Sequence, residues 1–124
     1  MSHYVLVTGG RKFADRESVA EVLGFLHAFY GTDLRVMHGD ARGADRLARD
    51  IARRMDIPER GYPADWDASP RGAGAIRNRQ MGDLLVKWRE AGHTIQVVAF
   101  RGGDGTADMC GVAEQRGIDV DVMP

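Results

Sequence analysis

One cysteine, Cys110, is all the chain contains, which excludes an internal disulfide and a cysteine-built metal site. Its place at core spacing in a helical pattern marks it as a small buried hydrophobe rather than a nucleophile. No apolar run approaches membrane-spanning length. The opening Met1-Ser2-His3-Tyr4-Val5 enters a strand pattern with no basic segment and apolar leader before it. The expectation is a cytoplasmic protein with no membrane partner. An excess of one charge sign is also missing. The formal net charge of −1 offers no electrostatic case for nucleic acid, which is disfavoured as a partner. No His or Cys pair has metal-ligand spacing, so neither a metal nor a cofactor is expected. The patterns G-x-G-x-x-G and G-x-x-x-x-G-K-[ST] are absent, which argues against a dinucleotide oxidoreductase and a P-loop ATPase. No serine sits in a nucleophile elbow. Repeats, low-complexity segments and linkers are lacking, so the 124 residues, 44% of them hydrophobic, read as one globular domain, 1–124.

Lysine is scarce as well. Among 17 cationic side chains only Lys12 and Lys87 are lysines. The planar arginine fork suits bidentate recognition of anions, and where the arginines fall decides whether that matters.

Short apolar runs alternate with helical stripes along the chain. Residues 4–7, 34–37, 59–62, 95–100 and 118–122 read as strands. The fourth is nearly all apolar and reads as central. The third is short and near an edge because Pro63 follows. The fifth alternates and reads as half-exposed. Helical stripes run through Val19, Val22, Leu23, Leu26 and Phe29, then through Leu47, Ala48, Ile51, Ala52 and Met55. Two more run through Ile76, Met81, Leu84, Leu85 and Trp88, and through Met109, Cys110 and Ala113. Asp15 or Ser18 is placed to cap the first helix. Arg46, Arg49, Arg53 and Arg54 read as the solvated face of the second. The pattern predicts an α/β domain on a mostly parallel five-stranded sheet with right-handed crossovers.

Ligands of such sheets bind at the carboxyl ends of the strands. That rim carries Gly9, Gly10, Arg11 and Lys12 after the first strand, and His38, Gly39, Asp40, Arg42, Gly43 and Asp45 after the second. It also carries Trp66, Arg71, Arg77 and Asn78 in and after the long third loop, and Arg101, Gly102, Gly103, Gly105 and Thr106 after the fourth strand. A glycine-rich turn entering a helix puts free N–H groups and the positive end of the dipole at one point. Three such turns on one rim, with arginines among them, point to a phosphate-bearing, nucleotide-like ligand. Arg77 stands in a helical first turn, where a cation opposes the dipole unless an anion is expected there. Asp40, Asp45, Asp104 and Asp108 are candidate acids or acceptors of ribose hydroxyls. For Asp45 and Asp108, capping or turn closure is the simpler role. His38 is a further candidate acid or base, and Trp66 a candidate stacking surface.

The stretches Thr8-Gly9-Gly10-Arg11-Lys12-Phe13, Gly39-Asp40-Ala41-Arg42-Gly43-Ala44-Asp45, Tyr62-Pro63-Ala64-Asp65-Trp66, the run 73–81 with Arg77-Asn78-Arg79, and Gly102-Gly103-Asp104-Gly105-Thr106-Ala107 resemble, in order, the YspA-like, cpYpsA-related branch of the SLOG superfamily. The resemblance implies a Rossmann-like three-layer sandwich and a site for a nucleotide derivative. The superfamily also holds the Lonely-guy phosphoribohydrolases, the DprA fold and sensor domains for NAD-derived signals. Arg77 and Met81 match the R-x-x-x-M pattern of the Lonely-guy enzymes. Their P-G-G-x-G-T-x-x-E pattern is met here by Arg101 at the proline position and Met109 at the glutamate position.

The resulting expectation is a protein that binds a nucleotide or an ADP-ribose- or NAD-like ligand as sensor, carrier or sequestering protein. The alternative is a nucleotide N-glycoside hydrolase. Its candidate catalytic residues are Arg77, Asp40, Asp45 and Asp108, since the usual glutamate is replaced by Met109. A DprA-like nucleic-acid module is the weaker reading. A homodimer is conceivable through the face carrying Met81 and Trp88.

Overall fold

A computed structural model describes residues 1–124. Five strands, β1 (His3–Thr8), β2 (Leu34–His38), β3 (Glu59–Gly61), β4 (Thr94–Ala99) and β5 (Val120–Val122), alternate with four helices. These are α1 (Arg16–Tyr30), α2 (Ala44–Arg54), α3 (Ala73–Glu90) and α4 (Asp104–Gln115). The sheet has the order β3-β2-β1-β4-β5, and every pairing is parallel. The mostly parallel sheet of the sequence reading is therefore entirely parallel, and the α/β, Rossmann-like layout holds. β4 is internal as expected, but the middle strand is β1. β3 and β5 are short edges of three residues each.

Strand alternation divides the core in two. Val5, Val7, Val36, Val98 and Phe100 face one side and pack with Val19, Leu23, Ala48 and Ile51 of α1 and α2. Leu6, Met37 and Val97 face the other and pack with Met81, Leu85, Met109 and Val112 of α3 and α4. This is the helix–sheet–helix sandwich. α3 and α4 approach closely because Gly82 leaves room: a Cβ there would stand 2.6 Å from Val112 Cγ1.

Several helical stripes sit differently from their sequence reading. In α1 the buried line is Val19, Leu23 and Leu26, with Tyr30 half-buried at its end. Tyr30 stacks on the His3 ring at 3.8 Å, which leaves Phe29 74% exposed. The stripe follows the steps of four and three residues that a 3.6-residue helix favours, so the third-place guess at Phe29 fails. In α3, Asn78 takes the buried position in the first turns and Ile76 points outward. The N-terminal part of that helix faces the end of the sheet rather than the core. Met81 is core, and Trp88 is half-buried and stacked on Tyr4 at 3.8 Å. The face proposed for self-association is therefore occupied internally. Cys110 is half-buried, and burial with the neighbouring Glu114 charge pushes its thiol above the ordinary value of 9.0, which disfavours the thiolate. Asp15 caps α1, accepting from Ser18 N at 3.1 Å and Ser18 Oγ at 2.6 Å.

Two glycines give opposite expectations for stability. Gly43 has φ +83, and a Cβ on it would run into the backbone of Gly10 and Arg11. Gly43→Ala is expected to destabilise by at least about 2 kcal/mol. Gly111 lies inside α4 with nothing within 4 Å of its would-be Cβ. Gly111→Ala is expected to stabilise by about 0.5–1 kcal/mol. Urea melts of the two variants check both signs.

Candidate functional site

The strand order turns back on itself between β1 and β4, and there the loops after the two strands diverge to opposite faces. A cleft of about 1120 Å³ opens at this point. Gly9 to Asp15 line it from β1, and Arg101 to Thr106 with Asp108 line it from β4. Gly39 and Asp45 close it on the β2 side, and Trp66, Arg71, Gly74, Arg77 and Asn78 on the α3 side.

Its base is a set of backbone contacts between turns. Gly10 N donates to Arg101 O at 3.0 Å, and Ala44 N donates to Gly10 O at 3.2 Å. Gly43 packs on Gly10 and Arg11, and Gly102 packs on Gly10 N and Thr106. Side chains would not fit between these turns.

The helix start on this base is open. α4 begins at Gly103 with no side-chain cap. The N–H groups of Gly102, Gly103, Asp104, Gly105 and Thr106 have no hydrogen-bond partner in the protein. Thr106 is nine-tenths buried, and its hydroxyl is likewise unpartnered. α3 also starts without a side-chain cap, at Gly72. Thus two positive helix ends meet the cleft, together with Arg11, Lys12, Arg71, Arg77 and Arg101.

Arg77 is held rather than free. Its Nη1 donates to Gly39 O at 2.5 Å and to Tyr62 O at 3.2 Å, and its Nε to Asn78 Oδ1 at 3.0 Å. Nη2 has no partner in the protein. Burial pulls the guanidinium below its ordinary value, and the neighbouring Asp45 charge opposes that. Asp45 is 5% exposed and closes the second turn, its Oδ2 accepting from Gly39 N at 3.0 Å and Ala41 N at 3.3 Å. Burial pushes its carboxyl above the ordinary 3.8, against the Ala41 N–H and the Arg77 charge. Asn78 links the two sides of the cleft. Its Nδ2 donates to Asp108 Oδ2 at 2.9 Å and to Gly105 O at 3.3 Å. Arg11 lies over the Trp66 ring, 5.5 Å from its centroid.

Of the residues picked out in the sequence, Gly9, Gly10, Arg11, Gly39, Asp45, Trp66, Arg77, Asn78, Gly102, Gly103, Gly105, Thr106 and Asp108 come together on this cleft. Asp40, Arg42, Gly43 and His38 do not line it. Asp40 has φ +55, which turns its carboxylate outward to Arg49 at 3.3 Å and Arg46 at 3.7 Å. Arg42 is exposed away from the cleft. His38 is 1% exposed: its Nδ1 accepts from Asp40 N at 3.0 Å and its Nε2 donates to Glu59 Oε1 at 2.8 Å. It has no route to a ligand in the cleft, so the acid or base role fails. The arginines of α2 are not simply solvated, since Arg49 and Arg53 pair with Asp40, Asp50 and Glu59. Met109 is fully buried among Leu6, Met37 and Leu85 and presents nothing to the cleft. Pro124 also lines the cleft, which nothing in the local sequence signalled. No group of three or more His, Cys, Asp or Glu is placed to hold a metal. No helix is long and apolar enough to cross a membrane.

A Rossmann-like α/β protein with an open, cation-lined cleft at its switch point is the class these features define. The chain belongs to the YspA, cpYpsA-related SLOG family, whose profile matches residues 3–68. That match covers the first two turns and Trp66, and ends before Arg77, Asn78 and the turn at 102–106. Over 84 residues the chain is 39% identical to the Gene 61 protein of Mycobacterium phage D29, covering 62% of this chain and 66% of that protein. It spans just under two thirds of that relative. Among solved structures it is similar to DNA processing protein A (DprA) from Streptococcus pneumoniae, with a TM-score of 0.57 and 19% identity. That likeness covers 96% of this chain and 58% of the other, and it is one of fold.

The buried Asp45 carboxyl has a pH signature. Between 3.8 and its raised folded value, the native state holds a proton that the unfolded chain has released, so this residue's contribution to stability falls as pH rises through that window. Asp45→Asn keeps an oxygen acceptor and removes the titration. Its unfolding free energy relative to the parent is expected to improve as pH is raised from about 4, as read by urea denaturation at stepped pH. A difference that does not change with pH contradicts the burial of a titrating Asp45.

Proposed function

We propose that the protein binds a nucleotide or nucleotide-derived ligand, its phosphate seated on the open start of α4. The carrying observation is the contrast among the glycines of the rim. Gly9, Gly10, Gly39, Gly43 and Gly102 lack a side chain because the protein's own atoms fill the space. Gly103 and Gly105 have no positive φ and nothing within 4 Å of a would-be Cβ, yet they supply two of the five unpaired N–H groups. Nothing in the fold requires glycine there; close approach of an anion does. The free Nη2 of Arg77, with Arg11 and Arg71 on the same cleft, supplies the cations that such a ligand needs. The exposed side of Trp66 supports stacking of a base.

The role proposed is sensing, carrying or sequestering the ligand. One observation favours a hydrolase as the second reading: Asp108 brings a carboxylate to the cleft beside the phosphate seat. Release of free base from nucleoside monophosphates tests it, and intact substrate after prolonged incubation rejects it. DNA processing is said of DprA, which this chain resembles in fold; no separate observation here favours nucleic acid. For self-association, the most exposed large apolar side chains on the helices are Phe25 and Phe29 of α1, and a homodimer would draw on that face.

A thermal-shift series with pyrophosphate, nucleoside mono- and diphosphates, ADP-ribose and NAD tests the binding reading. A ligand at a hundred times its dissociation constant stabilises by about 2.7 kcal/mol. No shift with any phosphorylated nucleoside rejects it. Gly105→Ala separates fold from function. The unliganded variant is expected to gain up to about 1 kcal/mol from helix propensity while its nucleotide-induced shift shrinks.

A further inference from the structure

Four carboxylates line the cleft, those of Asp15, Asp45, Asp104 and Asp108. Asp15 caps α1 and Asp45 closes the second turn, and of the remaining two only Asp108 is held in place by another side chain. Gly105 and Asp108 are three residues apart on α4 and so share one helical face. Asn78 fixes that arrangement by bonding both Gly105 O and Asp108 Oδ2. Asn78 is itself 4% exposed and held from behind by Arg77 Nε. The chain Arg77–Asn78–Asp108 therefore sets the carboxylate rigidly, with Oδ2 taken and Oδ1 without a partner in the protein. Asp108 opens to the cleft about one helical turn beyond the unpaired N–H groups of residues 102–106. Thr106, a residue nine-tenths buried whose hydroxyl makes no hydrogen bond within the protein, lies between Gly105 and Asp108 in sequence and lines the same wall.

A carboxylate there repels a second phosphate and accepts hydrogen bonds from neutral donors. Resting on the nucleotide reading above, we infer that Asp108 reads the sugar hydroxyls of the ligand, so that the cleft selects ribonucleotides over sugars lacking the 2′ and 3′ hydroxyls. In a nucleoside 5′-phosphate the sugar hydroxyls are neutral donors on the unit that carries the phosphate, and a carboxylate on the same helix as the phosphate seat is placed to accept from them. Asn78 is the positioning residue: it touches no ligand atom in this scheme and keeps Oδ1 turned to the cleft.

Calorimetric titration of the parent protein and Asp108→Ala, with each ribonucleoside 5′-monophosphate and its 2′,3′-dideoxy counterpart, tests this. In the parent, at least one ribonucleotide is expected to bind about tenfold or more tighter than its dideoxy form, the ratio for one charge-assisted hydrogen bond. In Asp108→Ala that ratio is expected to fall to about one. Equal binding of both forms to the parent overturns the hydroxyl reading and leaves the phosphate reading standing. A ratio that persists in Asp108→Ala assigns the hydroxyls to other groups and also overturns it. No binding of any nucleotide overturns both. Because the parent's ratio is measured without mutation, a variant that fails to fold does not shelter the proposal. Asp108→Asn then serves as the second variant, keeping the side-chain shape while removing the charge, and its ratio is expected to fall below the parent's.

Discussion

The hydrogen bond from Gly10 N to Arg101 O, with Gly10 O accepting from Ala44 N, is the constraint on which the cleft depends. One residue thereby ties together the turns after β1, β2 and β4. Backbone meets backbone at Gly10, Gly43 and Gly102, and Gly9 is closed in by the Cβ atoms of Ala44 and Phe100. The same contact sets the starts of α2 and α4 beside the turn after β1, and the cations after β1 and β4 line one cleft.

That packing changes what glycine means along the rim. A glycine-rich turn read from sequence alone suggests room for a ligand, and here most of that room is already filled by the protein. The residue types that carry the resemblance to the family are in large part serving turn-to-turn contact. The open positions are fewer, and they are confined to the start of α4. Electrostatics follow the same division. Asp45, buried against Gly39 N and Ala41 N, offsets part of the Arg77 charge and holds the second turn shut. Nη2 of Arg77 and the N–H groups of 102–106 are left without a partner in the protein.

The architecture was legible in the chain because each layer writes its own period: buried parallel strands as short apolar runs, helices as stripes. Legibility ended where a side chain's direction depends on a neighbour distant in sequence. Phe29 loses its place to Tyr30 because His3 offers a stacking partner. Asp40 leaves the rim because a left-handed backbone turns it toward Arg46 and Arg49. His38 points to Glu59, 21 residues on, and Asn78 reaches Asp108 across 30. The turns themselves could be found from glycine and arginine spacing. Which of their residues face the cleft could not, since that is decided by contacts between turns rather than within them.

The pair Asp108–Met109 brings these strands of reasoning to one helix. Adjacent helical residues differ by about 100° in direction, so only one of them can face the cleft. Here the sheet-facing position is taken by Met109, fully buried against Leu6 and Met37, and the cleft-facing one by Asp108. A glutamate at 109 would lie in the apolar layer, where an unpaired charge is costly. The carboxylate therefore cannot be restored to that position without rebuilding the core beneath it. Whatever Asp108 does for a ligand, it does one residue earlier on the helix, one step closer to the phosphate seat, and with one oxygen already held by Asn78. A group so placed and half-satisfied is set up to accept a hydrogen bond, about one helical turn along α4 from the unpaired N–H groups at its start.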